Sequence, residues 1–352
     1  MKAKKLRKVL ASVLCGAMVL SLVGCGGAPA EEGGAAEEGG ATEQKIAWYA
    51  PAPHPYFDEV KTGVEEFIEN EGTEVIIQIG PDWTQASENE KVEALVAQGV
   101  TALSIYPCDA AGANGLYEEI HESKGVNVIN FGTDTAKPSK AQFAVGTDVK
   151  QAAIDATEAV IEMMGGKGTI LNVLEVLEDP NTALRKQGVE EAVANHPDVE
   201  IIQEIAGIKT QEDAVSKIES ALTANLGKID AIVCTGMISS VGMAQTLNDY
   251  YAKQGTDKHI YTVGIDTDAG VMKAIEEGVV DATIAQNNKG HGYISCMLLK
   301  KLGEGYSIKE GAYFVNSGNV LVTKDNMDTF AADLQKVTDE ILGKLDTEYL
   351  TK

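Results

Sequence analysis

From Lys45 onward the apolar positions fall in short runs, separated by segments of about a dozen residues with helical spacing. The runs predict strands at Ile46–Ala50, Glu74–Ile79, Thr101–Ile105, Val126–Asn130 and Phe143–Val145. Between them, Tyr56–Asn70 and Ala113–Ser123 read as helices, and Ser87-x-x-Glu90 reads as a capping box opening a further one. A second series starts after Thr147-Asp148. Its strands are predicted at Thr169–Leu174, Val199–Ile205, Ile229–Cys234, Ile260–Gly264 and Ala282–Ala285, with helices before and between them. His291–Leu302 is predicted helical, and Asp325–Lys344 forms a polar amphipathic helix on the outside. Continuous apolar strands alternating with helices imply parallel sheets buried on both faces. Right-handed crossovers make such sheets doubly wound, and ligands bind beyond the carboxyl ends of their strands.

The N-terminus carries a different pattern. Lys2, Lys4, Lys5, Arg7 and Lys8 precede an apolar run from Val9 to Val23. That run is shorter than the roughly 20 residues of a membrane-spanning helix and fits a secretory signal. It ends in Leu22-Val23-Gly24-Cys25, which matches a bacterial lipobox. Residues 1–24 are therefore expected to be a lipoprotein signal, and Cys25 the lipidated residue. Residues 25–44 are nearly all Gly, Ala, Glu and Pro, a composition that makes a flexible tether rather than a core.

The formal net charge of −24 argues against nucleic acid and against charge-driven docking to anionic lipid. Membrane contact is expected through the lipid anchor alone. Cys108, Cys234 and Cys296 are far apart, without CxxC or zinc-like spacing, and read as buried free thiols. No GxGxxG, GxxxxGK[ST], nucleophile elbow or HExxH occurs in a strand-end loop, so neither a metal, a cofactor nor an enzyme activity is expected.

Chemistry concentrates in loops after strands. His54, Tyr56 and Phe57 follow the first one; adjacent rings beside a polar group suit the C–H face of a sugar, or cover a helix start. Arg185 lies in the first turns of a helix, where it can donate to hydroxyls or join a surface ion pair. Asp266 follows the Ile260 strand, where it can accept from vicinal hydroxyls or cap the next helix. Gln286 offers a donor and an acceptor at once.

The stretches HPYFDEVKTGVEEF, ALSIYPCDA, LRKQGVEEAV, VGIDTDAGVMKAIEEG and VDATIAQ resemble the ribose/galactose-type (type I, LacI-like) periplasmic sugar-binding proteins of ABC transporters. The resemblance runs from about Lys45 to Thr323. It implies an α/β fold of two doubly wound parallel-sheet lobes joined by a three-strand hinge. Lobe one would hold 45–147 and 287–317; lobe two would hold 148–286 with 318–352 and the C-terminal helix. By resemblance, Tyr56 and Phe57 are the stacking pair, His54 stands at a ligand-bonding Asn, and Arg185, Asp266 and Gln286 match polar ligand groups. The chain departs from the family at Gly132-Thr133, with Asp134 one residue later, at Gly236, at Ile208 and at Tyr106, where an Asn is usual. These departures imply a less polar pocket for another pentose, hexose or polyol, with Tyr106 and Asp134 as added candidates. The implied function is capture of a sugar or polyol by hinge closure, by a monomer outside the cytoplasm, and delivery to an ABC permease. A sensory receptor presenting a sugar-like or autoinducer-like ligand to a membrane signalling protein is the alternative.

Overall fold

The computed structural model describes residues 44–177, 179–254 and 258–352. The expected signal, Cys25 and nearly all of the expected tether lie outside the described residues.

Strands β1 (Ile46–Ala50), β2 (Val75–Ile79), β3 (Ala102–Ile105), β4 (Asn127–Phe131) and β5 (Phe143–Gly146) form one parallel sheet. Strands β6 (Gly168–Val173), β7 (Val199–Ile205), β8 (Ala231–Cys234), β9 (Tyr261–Ile265) and β10 (Ala282–Gln286) form a second. A two-residue strand β11 (Ser307–Ile308) precedes β12 (Phe314–Asn316) and β13 (Asn319–Thr323). The sheet orders are β2-β1-β3-β4-β5-β12 and β7-β6-β8-β9-β10-β13, with only β13 antiparallel to its neighbour. Every residue of β1, β3 and β8 is buried, as apolar strands covered on both faces require.

Helices α1 (Pro55–Glu71), α2 (Gln85–Ala97) and α3 (Gly112–Lys124) pack on the first sheet. Helices α4 (Val149–Met163), α5 (Pro180–Ala194), α6 (Gln211–Ala224), α7 (Met237–Gln254) and α8 (Ala269–Glu277) pack on the second. Helix α9 (Asn288–Gly303) returns to the first lobe and lies along α1. Helix α10 (Phe330–Lys344) rests on α9 and β13. No described helix is long and apolar enough to cross a membrane.

Two expectations are corrected. The cap of α2 is Thr84, whose extended backbone lets its hydroxyl accept from Ser87 N at 3.3 Å. Ser87 therefore lies inside the helix, and Glu90 is exposed beside Lys91. The tail does not stay with the second lobe. Leu345 and Leu350 enter the first lobe's core beside Ile46 and Phe143, and β14 (Leu350–Thr351) pairs with β11. Burying those two leucines draws the chain end across.

The chain passes between the sheets three times: after β5, after β10, and between β12 and β13. The passages are tied together. Ser317 N donates to Gly146 O at 2.8 Å, and Asp148 N to Asn316 Oδ1 at 3.1 Å. Asn287 Nδ2 donates to Ser317 O and to Thr338 Oγ1, both at 2.8 Å. Thr147, Asn287 and Ser317 are all buried.

Candidate functional site: the cleft between the lobes

Both sheets reverse their strand order at one point, between β1 and β3 and between β6 and β8. Crevices form beyond the strand ends at such points. The loops after those four strands meet in the cleft between the lobes.

The first lobe supplies an aromatic wall. Tyr56 and Tyr106 lie edge to face with centroids 6.0 Å apart, and Tyr106 meets Trp83 at 5.3 Å. Phe57 is fully buried against Trp48, Phe131, Trp83 and Tyr106. It backs the other rings and has no free face, which corrects its expected role as a stacking surface. Pro55 at the start of α1 and the His54 cap fix this segment: His54 Nδ1 accepts from Tyr56 N at 3.2 Å. His54 is thus an exposed capping residue at the rim.

The Tyr56 hydroxyl lies 2.9 Å from Nδ1 of His291, whose Nε2 lies 3.4 Å from Thr147 Oγ1 at the first passage. Burial pushes His291 down to about 3, so its ring is neutral, with one donor and one acceptor nitrogen. A side chain at Gly132 would place Cβ 2.1 Å from the Tyr56 hydroxyl, so the glycine there makes room for it.

Asp134 is committed locally. Its oxygens accept from Asn130 Nδ2, Thr135 N, Tyr313 OH and Lys137 Nζ. Three of these bonds fall on Oδ1 and one on Oδ2. Asp134 is thus braced by its own loop while it lines the cavity wall. Trp83, Tyr106 and Asp134 from one lobe and Asp179 from the other line a cavity of about 340 Å³.

The second lobe supplies the charged groups. Arg185, in the second turn of α5, forms no hydrogen bond or ion pair among the described residues, and its Nε is buried without a partner. Its charge bears on Tyr56, Tyr106 and Asp266. A buried unpaired donor costs about 1–3 kcal/mol, so this guanidinium is held ready for an acceptor. Asp266 follows β9 with a left-handed backbone, φ 71°. Its amide donates to Ile284 O and its carbonyl accepts from Thr283 Oγ1, each at 2.8 Å. Gln286 Nε2 donates to its Oδ1 at 2.7 Å. Burial raises the Asp266 carboxyl to about 6; Glu59 and Glu175 add to the rise, while Gln286 and Arg185 oppose it. The cap of α8 is Asp268, which leaves Asp266 facing the cleft group.

Four cleft residues escaped the sequence reading. Trp83 sits 44% exposed in the turn before α2. Asp179 caps α5 and reaches the cavity. His291 is a single histidine in a glycine-rich segment. Glu175 follows β6, and its Oε1 accepts from Ser239 N at 3.0 Å. A Cβ at Gly236 would meet the Glu175 carboxyl carbon at 2.2 Å. The pocket is therefore not stripped of polarity at Gly236, since the Glu175 carboxylate occupies that space. A charged residue closing an apolar strand at the switch point was the available signal. Cys108, Cys234 and Cys296 are free thiols, with Cys234 and Cys296 buried as expected and Cys108 only half-buried. Among the described residues no cluster of His, Cys, Asp and Glu has the geometry to hold a metal.

The cleft thus opposes rings on one side to a cation, carboxylates and an amide on the other. Such a set binds a compact solute with C–H faces and several hydroxyls. The chain is similar to the xylitol-binding protein of Mycolicibacterium smegmatis, with 22% identity over 278 residues, 78% of this chain and 75% of that one. It also superposes on an arabinose-binding protein from Geobacillus stearothermophilus (TM-score 0.72, 19% identity, 82% of this chain and 99% of that one). A Bacillus halodurans ABC-transporter solute-binding protein with bound myo-inositol gives a TM-score of 0.71 at 19% identity, over 84% of this chain and 99% of that one. Residues 49–307 match the model of the periplasmic binding protein domain. The sheet order, the three passages and this match agree: the chain belongs to the periplasmic binding protein domain family.

Proposed function

We propose that the protein captures a sugar or polyol in the cleft and delivers it to an ABC permease, held at the outer face of the membrane by lipid on Cys25. The observation that carries this reading is the unpaired, buried Nε of Arg185 beside Asp266 and opposite Tyr56 and Tyr106. A ligand hydroxyl that donates to Asp266 and accepts from Arg185 satisfies both. Closure about the three passages then buries it, the hinge motion by which periplasmic binding proteins as a group close on their ligands. In this reading Arg185, Asp266 and Gln286 hold hydroxyls and Tyr56 and Tyr106 flank the carbon frame. Phe57 stiffens the wall, His54 caps at the rim, and Asp134 positions the loop.

A thermal-shift screen over pentoses, hexoses and polyols tests the claim. A ligand at 100 times its Kd adds about 2.7 kcal/mol of stability. Arg185→Ala and Asp266→Ala are each expected to abolish the shift while keeping the unliganded Tm within a few degrees. Unchanged affinity in both variants, by calorimetry, removes these residues from the site. Lipidation is tested separately, by palmitate labelling that is lost in Cys25→Ser.

A further inference from the structure

The loops that flank the second lobe's switch point carry a matched pair. Glu175 leaves β6, and Gly236 follows β8. Any side chain at 236 would begin 2.2 Å from the Glu175 carboxyl carbon and 2.3 Å from its Oε1. The carboxylate therefore fills the place a side chain at 236 would take. It is fixed there. Ser239 N donates to Oε1 at 3.0 Å, and Gly207 N donates to the Glu175 carbonyl at 2.9 Å. Oε2 takes no hydrogen bond among the described residues. Beside Gly236, Thr235 is 2% exposed and its Oγ1 has no partner.

The charge balance follows from this placement. The charges acting on Asp266 are positive at Arg185 and negative at Glu175 and Glu59, and Asp179 stands at the cavity wall. Carboxylates outnumber guanidinium at the strand ends. A carboxylate only accepts hydrogen bonds, and an ammonium only donates them. A hydroxyl leaves the excess negative charge in place; an ammonium offsets it and sits well against the faces of Tyr56 and Tyr106. We propose that Glu175 is a specificity-determining residue, and that it selects, among sugars and polyols, those that carry a protonated amine. This rests on the reading of the cleft as a polyol site.

The test is calorimetry at neutral pH with matched pairs: glucosamine and glucose, galactosamine and galactose, aminosorbitol and sorbitol. The amine of at least one pair is expected to bind about tenfold tighter than its neutral partner, as a charge-assisted bond implies. Glu175→Gln, which keeps the shape, is expected to erase that preference, so that the amine and its neutral partner bind within about twofold of each other. The double variant Glu175→Ala with Gly236→Asn returns an amide to the site and is expected to favour the neutral member. Neutral members that bind as tightly as amines, with a ratio untouched by Glu175→Gln, overturn the inference and leave the polyol reading standing. If no polyol of either kind binds, the polyol reading itself falls and takes this with it.

Discussion

At Asp266 the backbone and the side chain both occupy costly states. A left-handed φ at a non-glycine residue costs of order 1 kcal/mol, and Asp is among the residues that tolerate it best. The carboxyl is buried and raised to about 6. Only the ionised form accepts from two ligand hydroxyls, so affinity should be flat above about pH 6 and fall about tenfold per unit below it. Asp266→Asn should bind weakly and without that pH dependence; calorimetry from about pH 4.5 to about pH 8 decides. The sign for stability is opposite. A carboxyl whose folded pKa lies above its unfolded one stabilises the empty protein fully below about pH 4, and that contribution is lost as pH rises through about 6. The placement of Asp266 just after β9 and of Gln286 as the last residue of β10 was legible because each closes an apolar strand run. Phe57 and Asp134 were not, since side-chain direction and local bonding at Asn130, Lys137 and Tyr313 decide their roles. Glu175 was hidden because its placement depends on Gly236, on a different strand end.

At the scale of elements, the contact that sets the first lobe's half of the cleft is α1 against α9. Gly63 and Gly292 let the two backbones meet: a Cβ at 63 would stand 1.8 Å from Lys289 O, and one at 292 would stand 2.1 Å from Val60 O. Such contacts cannot be relieved by a rotamer change, so the helices must separate. Gly63→Ala is expected to cost at least about 2 kcal/mol, by the logic of overpacked cores, and to lower Tm by several degrees. A Tm within one degree of wild type would contradict the packing described. Because α1 carries Tyr56 and α9 carries His291, the same variant should also weaken ligand binding. The alternation of strands and helices was readable from the apolar runs. The α2 start was not, because Thr84 and Ser87 are both competent caps and backbone geometry chose between them. The end of the chain was missed for a similar reason: nothing local shows that Leu345 and Leu350 are buried on the first lobe rather than the second.

At the scale of the molecule, two similar lobes face one another and the three passages are bound into one unit by Asn287, Ser317 and Asn316. Tyr56 reaches that unit through His291 and Thr147. The aromatic wall and the charged wall are therefore mounted on two bodies linked at these passages and by the returning tail, and a solute that touches both favours the closed arrangement. A crystal structure of the protein with the polyol found by the thermal-shift screen decides whether both walls hold the same solute. One ligand is expected in the cleft, within hydrogen-bonding distance of Arg185 and Asp266 and packed against Tyr56 or Tyr106. A ligand bound elsewhere, or held by one lobe with Arg185 and Asp266 turned to solvent, would contradict this.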